Sequence, residues 1–263
     1  MSRKEENALL AKSWLKMIEK SKTYSQCVDA AIKSTGVRKD TLIGQDELSY
    51  ALSKADSYEK CIAVTKQTTY DAMLDLYDDD VNPICVLNFA SFFKPGGGFL
   101  KGAYAQEESL CHVSGLYFVL KDLDIYKERY ERDKVPEEYT SEVIYSRGVP
   151  FTSTPGSISS PMLVDVISCA APNCTRVPIS KMDRAERAIK ERLTACYILP
   201  YLNGCEGLVL GAWGCGVFKN NPQFVASTFK MLNDTYGGLY KKVVYAVPTG
   251  SIREVFENIM FSE

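Results

Sequence analysis

Apolar residues near the start of the chain recur with the period of a helix. Ala11, Trp14, Leu15 and Ile18 follow the i, i+3, i+4, i+7 spacing, and Ser2 with Glu5 makes a capping-box pattern ahead of them. Gly36 and Gly44 punctuate a turn region. A second helix is predicted over residues 56–77, with Cys61, Val64, Thr68, Ala72 and Leu76 on one face. Asp78-Asp79-Asp80 and Asn82-Pro83 stop it. Three carboxylates in a row can bind a divalent cation, but at a helix end a solvated turn is the more economical reading.

After Pro83 the pattern shortens. Residues 84–90 form a compact apolar run, the signature of a buried strand. A loop with Pro95-Gly96-Gly97-Gly98 follows, and then a helix is predicted over 106–120. Residues 121–140, rich in charge and tyrosine, read as a surface connection. Strands are expected at 143–145, 162–167, 207–211 and 243–247, and a flexible loop at 151–161. Helices are expected from a Ser180 cap with Met182, Ala185, Ile189, Leu193 and Cys196 inward, from Asn221-Pro222 onward, and over 251–261. Strands alternating with helices predict an α/β layered sheet. No internal repeat or separating linker is visible.

Composition narrows the functional classes. With 263 residues and 46% hydrophobic content, the chain can bury a sizeable core. Its net charge of −2 gives no basic excess to draw the whole surface onto nucleic acid, and no direct DNA binding is expected. No apolar run reaches the roughly 20 residues of a membrane helix. The opening MSRKEENALLAKSWLK has no apolar signal core, so the expected location is intracellular and cytoplasmic. Nine cysteines without a CxxC fit neither a disulfide framework nor a zinc ribbon. His112 is the one histidine, and neighbouring Cys111 would point about 100° away from it on a helix. These two therefore read as buried or incidental. No metal and no cofactor is expected, and acid–base work falls to carboxylates.

Two glycine-rich loops each follow an expected strand: Gly96-Gly97-Gly98, and Gly214-Cys215-Gly216 ahead of a helix. Glycine lets backbone approach a ligand and aim successive N–H groups at an anion, so the pair suggests a diphosphate clamp. The bland alternative is two tight turns. There is no GxxxxGK[ST] and no GxGxxG after a strand, which leaves P-loop and Rossmann sites unsupported. Seven residues beyond the glycine triplet comes Gln106-Glu107-Glu108. Acids in a first helical turn complement the dipole, but one held beside a cradled ligand can also protonate a glycosidic oxygen.

GGG, seven residues, then QEE resembles the signature of poly(ADP-ribose) glycohydrolases, which are built on a macrodomain. The flanking residues 86–91, VDVISCAAPN at 164–173 and LGAWGCGVF at 210–218 are similar to the bacterial-type branch, and the likeness runs over most of the chain. It implies a three-layer α/β/α macrodomain with a mixed central sheet and an N-terminal helical extension. The expected division is 1–82 for the extension, packed on a catalytic domain over 83–263.

The resemblance also implies roles. Glu108 would be the catalytic acid and base, and Glu107 would hold a ribose hydroxyl, with Gln106 beside them. Gly96, Gly97 and Gly98 would contact the distal ribose and diphosphate. Ala90 and Ser91 would approach that ribose, although many macrodomains carry Asn where Ser91 sits. Gly214, Cys215, Gly216 and Val217 would form the second phosphate loop, with Phe218 packed on the ribose. Lys219-Asn220-Asn221-Pro222 stand where relatives tend to have Gly and Asp, and Lys219 would add charge near the phosphates.

The activity implied is hydrolysis of ribose–ribose bonds of poly(ADP-ribose), or of polymer on a modified protein, by a monomer that releases ADP-ribose from the chain end. Loops 121–140 and 147–161 would wall off the terminal ribose. A non-catalytic ADP-ribose reader, or a hydrolase of mono-ADP-ribosyl or O-acetyl-ADP-ribose substrates, are the alternatives.

Overall fold

A computed structural model describes residues 1–131 and 141–262. In chain order the elements are α1 (Arg3–Lys20), α2 (Lys22–Lys33), β1 (Gly36–Lys39), α3 (Gln45–Ser53), β2 (Ile62–Thr65), α4 (Thr69–Asp78) and β3 (Ile84–Phe89). Then come α5 (Gln106–Cys111), α6 (Leu116–Leu120), α7 (Asp124–Glu131), β4 (Glu142–Phe151) and β5 (Met162–Cys169). The series ends with α8 (Met182–Leu202), β6 (Gly207–Gly211), α9 (Pro222–Tyr236), β7 (Lys242–Ala246) and α10 (Gly250–Met260). The strands make a mixed seven-stranded sheet in the order β1-β4-β5-β3-β6-β7-β2, flanked by helices.

The described residues cluster into two compact units. One takes residues 1–37, 88–131 and 144–168; the other takes 38–87, 141–143 and 169–262. Both units draw on residues either side of position 82.

In the first unit the Ser2–Glu5 capping box starts α1 as the spacing predicts. α1 packs on α2 and on a short 3-10 turn at Phe99–Lys101, and α2 packs on α6. Trp14 is buried, donates from Nε1 to the Ser114 carbonyl at 3.0 Å, and meets Tyr24 edge to face. The helix expected over 106–120 breaks at residues 112–115. There the Ser114 Oγ donates to the Leu110 carbonyl and accepts from the Leu116 N–H, turning the chain. Gly115 allows that turn, since a Cβ there would lie 2.6 Å from Val28 and 3.0 Å from Pro150. Part of the expected surface connection is helix α7, whose Arg129 is buried; residues 132–140 lie outside the described residues. β4 runs through Phe151, far beyond the expected 143–145, and takes in the first residues of the loop expected at 147–161. The rest of that loop is tied by Thr152 Oγ1, which donates to the Ser157 carbonyl at 2.7 Å and meets Ser159 Oγ at 3.0 Å.

In the second unit β6 pairs in parallel with β7, as Leu208↔Val243 and Leu210↔Tyr245, and β7 pairs in parallel with β2. The helix expected over 56–77 is really two elements: strand β2, and α4 starting from a Thr68 cap whose Oγ1 accepts from the Asp71 N–H. The apolar spacing of Cys61, Val64 and Thr68 fits a helix, but Ile62–Thr65 finds its hydrogen bonds along β7. β1 and α3 occupy the region expected to be turn, with Gly44 as the α3 N-cap. Ser180 does not cap α8; it lies in a 3-10 turn, and α8 begins after Lys181 without a side-chain cap. Ala185, Ile189, Leu193 and Cys196 face inward as expected, whereas Met182 is half-exposed. At the end of α4 the acidic run makes a turn, with Asp79 accepting from Lys242 Nζ at 3.0 Å. Among the described residues no helix is long and apolar enough to cross a membrane, and no group of three metal-ligating side chains forms.

Candidate active site

The first unit gathers the glycine triplet and the paired carboxyls into one cluster. β3 ends at Phe89, whose N–H donates to Gln106 Oε1 at 2.8 Å. This bond fastens the first residue of α5 to the strand end, so Gln106 spends its amide oxygen on the scaffold. Glu107 and Glu108 then fall in the first turn of α5. Glu108 is third in that turn; its Oε2 accepts from the Ala105 N–H at 2.9 Å, which is the helix-capping role anticipated for such an acid. Its other oxygen accepts from the Gly98 N–H at 2.7 Å.

Glu107 points the other way. Its Oε2 accepts from the Ser91 N–H at 2.7 Å, and its Oε1 faces Asn88 Nδ2 at 3.4 Å. Gly97 closes the arrangement at φ +60°: a Cβ there would lie 2.4 Å from Glu108 Oε1 and 3.0 Å from Glu107 Oε2. The Gly97 N–H donates to the Lys94 carbonyl. Gly98 thus spends its N–H on Glu108 and Gly97 spends its own on the turn itself, where the sequence suggests that the triplet aims at an anion. Ala90 is buried between strand and loop, and Ser91 Oγ accepts from the Lys94 N–H at 3.2 Å.

Burial raises the Glu107 pKa to about 8, and the neighbouring Glu108 adds to the rise. The bonds from Ser91 and Asn88 oppose it. Against an ordinary value of 4.5, this rise keeps the Glu107 carboxyl largely protonated near neutral pH. Cys111 is fully buried and its thiol is pushed far up by desolvation, so it is not a nucleophile. His112 packs against Phe99 and Tyr104, and desolvation lowers its pKa.

Three residues behind the cluster were not singled out in the sequence. Asn88 is buried, and its Nδ2 donates to Ser168 Oγ at 3.0 Å. Arg129 of α7 donates to the Phe92 carbonyl at 3.0 Å and lies 4.4 Å over the Phe92 ring, one residue from Ser91. Tyr126 lies under the same guanidinium; burial and the Glu107 charge hold its phenol protonated. The only signal for the last two was their i, i+3 spacing in a stretch that reads as surface.

The second glycine loop belongs to the other unit. Trp213 anchors it by donating from Nε1 to the Cys169 carbonyl at 2.9 Å. Gly214 takes φ +74°, and Cys215 turns inward, its thiol pushed up to about 12 by burial. Among the described residues, the N–H groups of Gly216, Val217 and Phe218 meet no protein acceptor. Gly216 and Val217 are exposed and Phe218 is half-buried. Successive free N–H groups in a turn form an anion-binding concavity. Lys219 follows at φ +54°, in the left-handed region that favours glycine. Asn220, which the sequence reading left without a role, is buried below the loop.

Residues 1–153 match the family model for the microbial-type PARG catalytic domain. A poly(ADP-ribose) glycohydrolase from Deinococcus radiodurans, solved in complex with ADP-ribose, is 31% identical, with a TM-score of 0.79 over 89% of this chain and 97% of that one. The enzyme from Thermomonospora curvata is 28% identical, with a TM-score of 0.84 over 97% and 99%. Its complex with the inhibitor ADP-HPD is similar at 29% identity and a TM-score of 0.82 over the same shares. No curated protein matches in sequence.

Proposed function

We propose a mechanism from the premise that the chain belongs to the microbial-type poly(ADP-ribose) glycohydrolase family, glycosidases that act on poly(ADP-ribose). The observation that carries it is the packing of both carboxyls on one glycine turn, with the Gly98 N–H on Glu108 and a Gly97 Cβ position within 3.0 Å of oxygens of both acids.

The bond broken is the O-glycosidic link between two riboses. Glu108 gives its proton to the departing ribose oxygen as positive charge develops at the anomeric carbon. Water then bonds to that carbon and returns a proton to Glu108, so the carboxyl ends as it began. The products are ADP-ribose and a polymer one unit shorter, cut from its end. Glu107 holds a ribose hydroxyl. Its raised pKa keeps it largely uncharged near neutral pH, so it puts little negative charge next to the reacting riboses. Gly96, Gly97, Gly98, Ala90 and Ser91 line the ribose. Gly216 and Val217 offer backbone N–H groups to the diphosphate. The diphosphate in turn offsets positive charge in the transition state.

Glu108→Gln keeps the shape but can neither give nor take the proton. Turnover of poly(ADP-ribose) is expected to fall by about 10⁴-fold, with ADP-ribose affinity, measured by calorimetry, within a few-fold of the parent. Glu107→Gln should lose less, because an amide can still hold a hydroxyl. Near-normal turnover by Glu108→Gln beside an inactive Glu107→Gln would reverse the two roles.

A further inference from the structure

We propose that Asn220 is a positioning residue for the loop over 214–218, an inference that rests on the reading that this loop takes the diphosphate. Asn220 is 1% exposed. Its Nδ2 donates to the Pro172 carbonyl at 2.9 Å and to the Gly214 carbonyl at 3.0 Å. Its Oδ1 accepts from Cys174 Sγ at 3.1 Å, and its own N–H returns to the Gly214 carbonyl at 3.1 Å. One carbonyl, that of Gly214, therefore receives two bonds from the residue at the far end of the loop.

The backbone at both ends is shaped for this closure. Gly214 stands at φ +74°, and a Cβ there would lie 2.3 Å from Asn220 Nδ2 and 2.7 Å from Ala171 Cβ. The missing side chain is the space the amide fills. At the other end Lys219 turns at φ +54°, and its N–H returns to the Gly216 carbonyl at 3.3 Å. The loop is held from behind by Asn220, while the N–H groups of Gly216, Val217 and Phe218 have no acceptor among the described residues. Donors fixed before the ligand arrives need no ordering at binding. Without the tether, that ordering cost falls on each binding event. Asn220 acts through Gly214 and does not itself touch phosphate. The pattern Gly-Cys-Gly marks the surface that meets an anion; the strut beneath it emerges only when the chain returns to Gly214.

The test is calorimetric titration of ADP-ribose into the full chain carrying Asn220→Ala, with KM and kcat on poly(ADP-ribose) and the ligand-free melting temperature measured in parallel. Loss of the tether is expected to raise Kd and KM by about tenfold, with kcat within about twofold. Asn220→Ser, which removes the Nδ2 donor that reaches the Pro172 and Gly214 carbonyls but leaves a small polar side chain, is expected to show the same split and carries the test if Asn220→Ala fails to fold. Parental Kd in either folded variant overturns the proposal. So does a lowered melting temperature with unchanged Kd, which would make Asn220 a purely structural residue. Failure of the parent chain itself to bind ADP-ribose would instead overturn the diphosphate reading, and the proposal with it.

Discussion

Removal from water disfavours a charge on Glu107, and its folded pKa of about 8 stands against an ordinary value of 4.5. The folded chain keeps a proton that the unfolded chain releases over this interval. This contribution to stability is complete below about pH 4.5 and is lost as pH rises through about 8. Glu107→Gln cannot ionise, so its melting temperature should fall less than the parent's between about pH 5 and about pH 9. Parallel melting curves across that range would contradict the assignment. The carboxyl pair itself was legible in the sequence, because Gln106-Glu107-Glu108 follows the glycine triplet at a telling distance. What grips it was not. The sequence suggests that the triplet faces an anion, whereas the Gly98 N–H goes to Glu108 and Gly97 packs against both acids. Asn88 and Arg129 stayed hidden because Ser168 and Phe92, their partners, are distant in the chain, and no local spacing records such contacts.

At the level of single elements, α9 shows how much one polar side chain can hold. Asn233 is buried, and its Oδ1 accepts from the hydroxyls of Tyr197 on α8 at 2.8 Å and Tyr245 on β7 at 2.9 Å. Asn233→Ala would strand both buried hydroxyls. At about 1–3 kcal/mol for each unsatisfied group, a loss of roughly 2–6 kcal/mol is expected by urea unfolding. A loss below about 1 kcal/mol would mean that water replaces the amide. The strands that were read well are the apolar ones, such as β6, where five consecutive buried residues leave little choice. Those misread are marginal. β2 has four half-buried residues whose spacing also suits a helix, and β1 is mostly exposed. Their identity comes from pairing, which is a property of the sheet and not of the segment.

On the scale of the whole molecule, the N-terminal helices are part of the unit that carries the carboxyls. Gly102, at φ +77°, passes so close to α1 that an added Cβ would lie 1.8 Å from the Lys4 carbonyl. Gly102→Ala should therefore cost at least about 2 kcal/mol and lower turnover with it, since the turn over 99–101 joins the glycine triplet to α5. A melting temperature equal to the parent's would show that α1 moves aside freely. The α/β alternation and the run of family motifs made the architecture legible from sequence. The interleaving of the two compact units was not, because it depends on which distant segments close on each other. The account stands most directly on one measurement: purified chain incubated with poly(ADP-ribose), its products resolved over time by ion exchange. Free ADP-ribose is expected as the first and dominant product, with the remaining polymer shortening gradually. Absence of ADP-ribose release, or early appearance of long oligomers in its place, would contradict it.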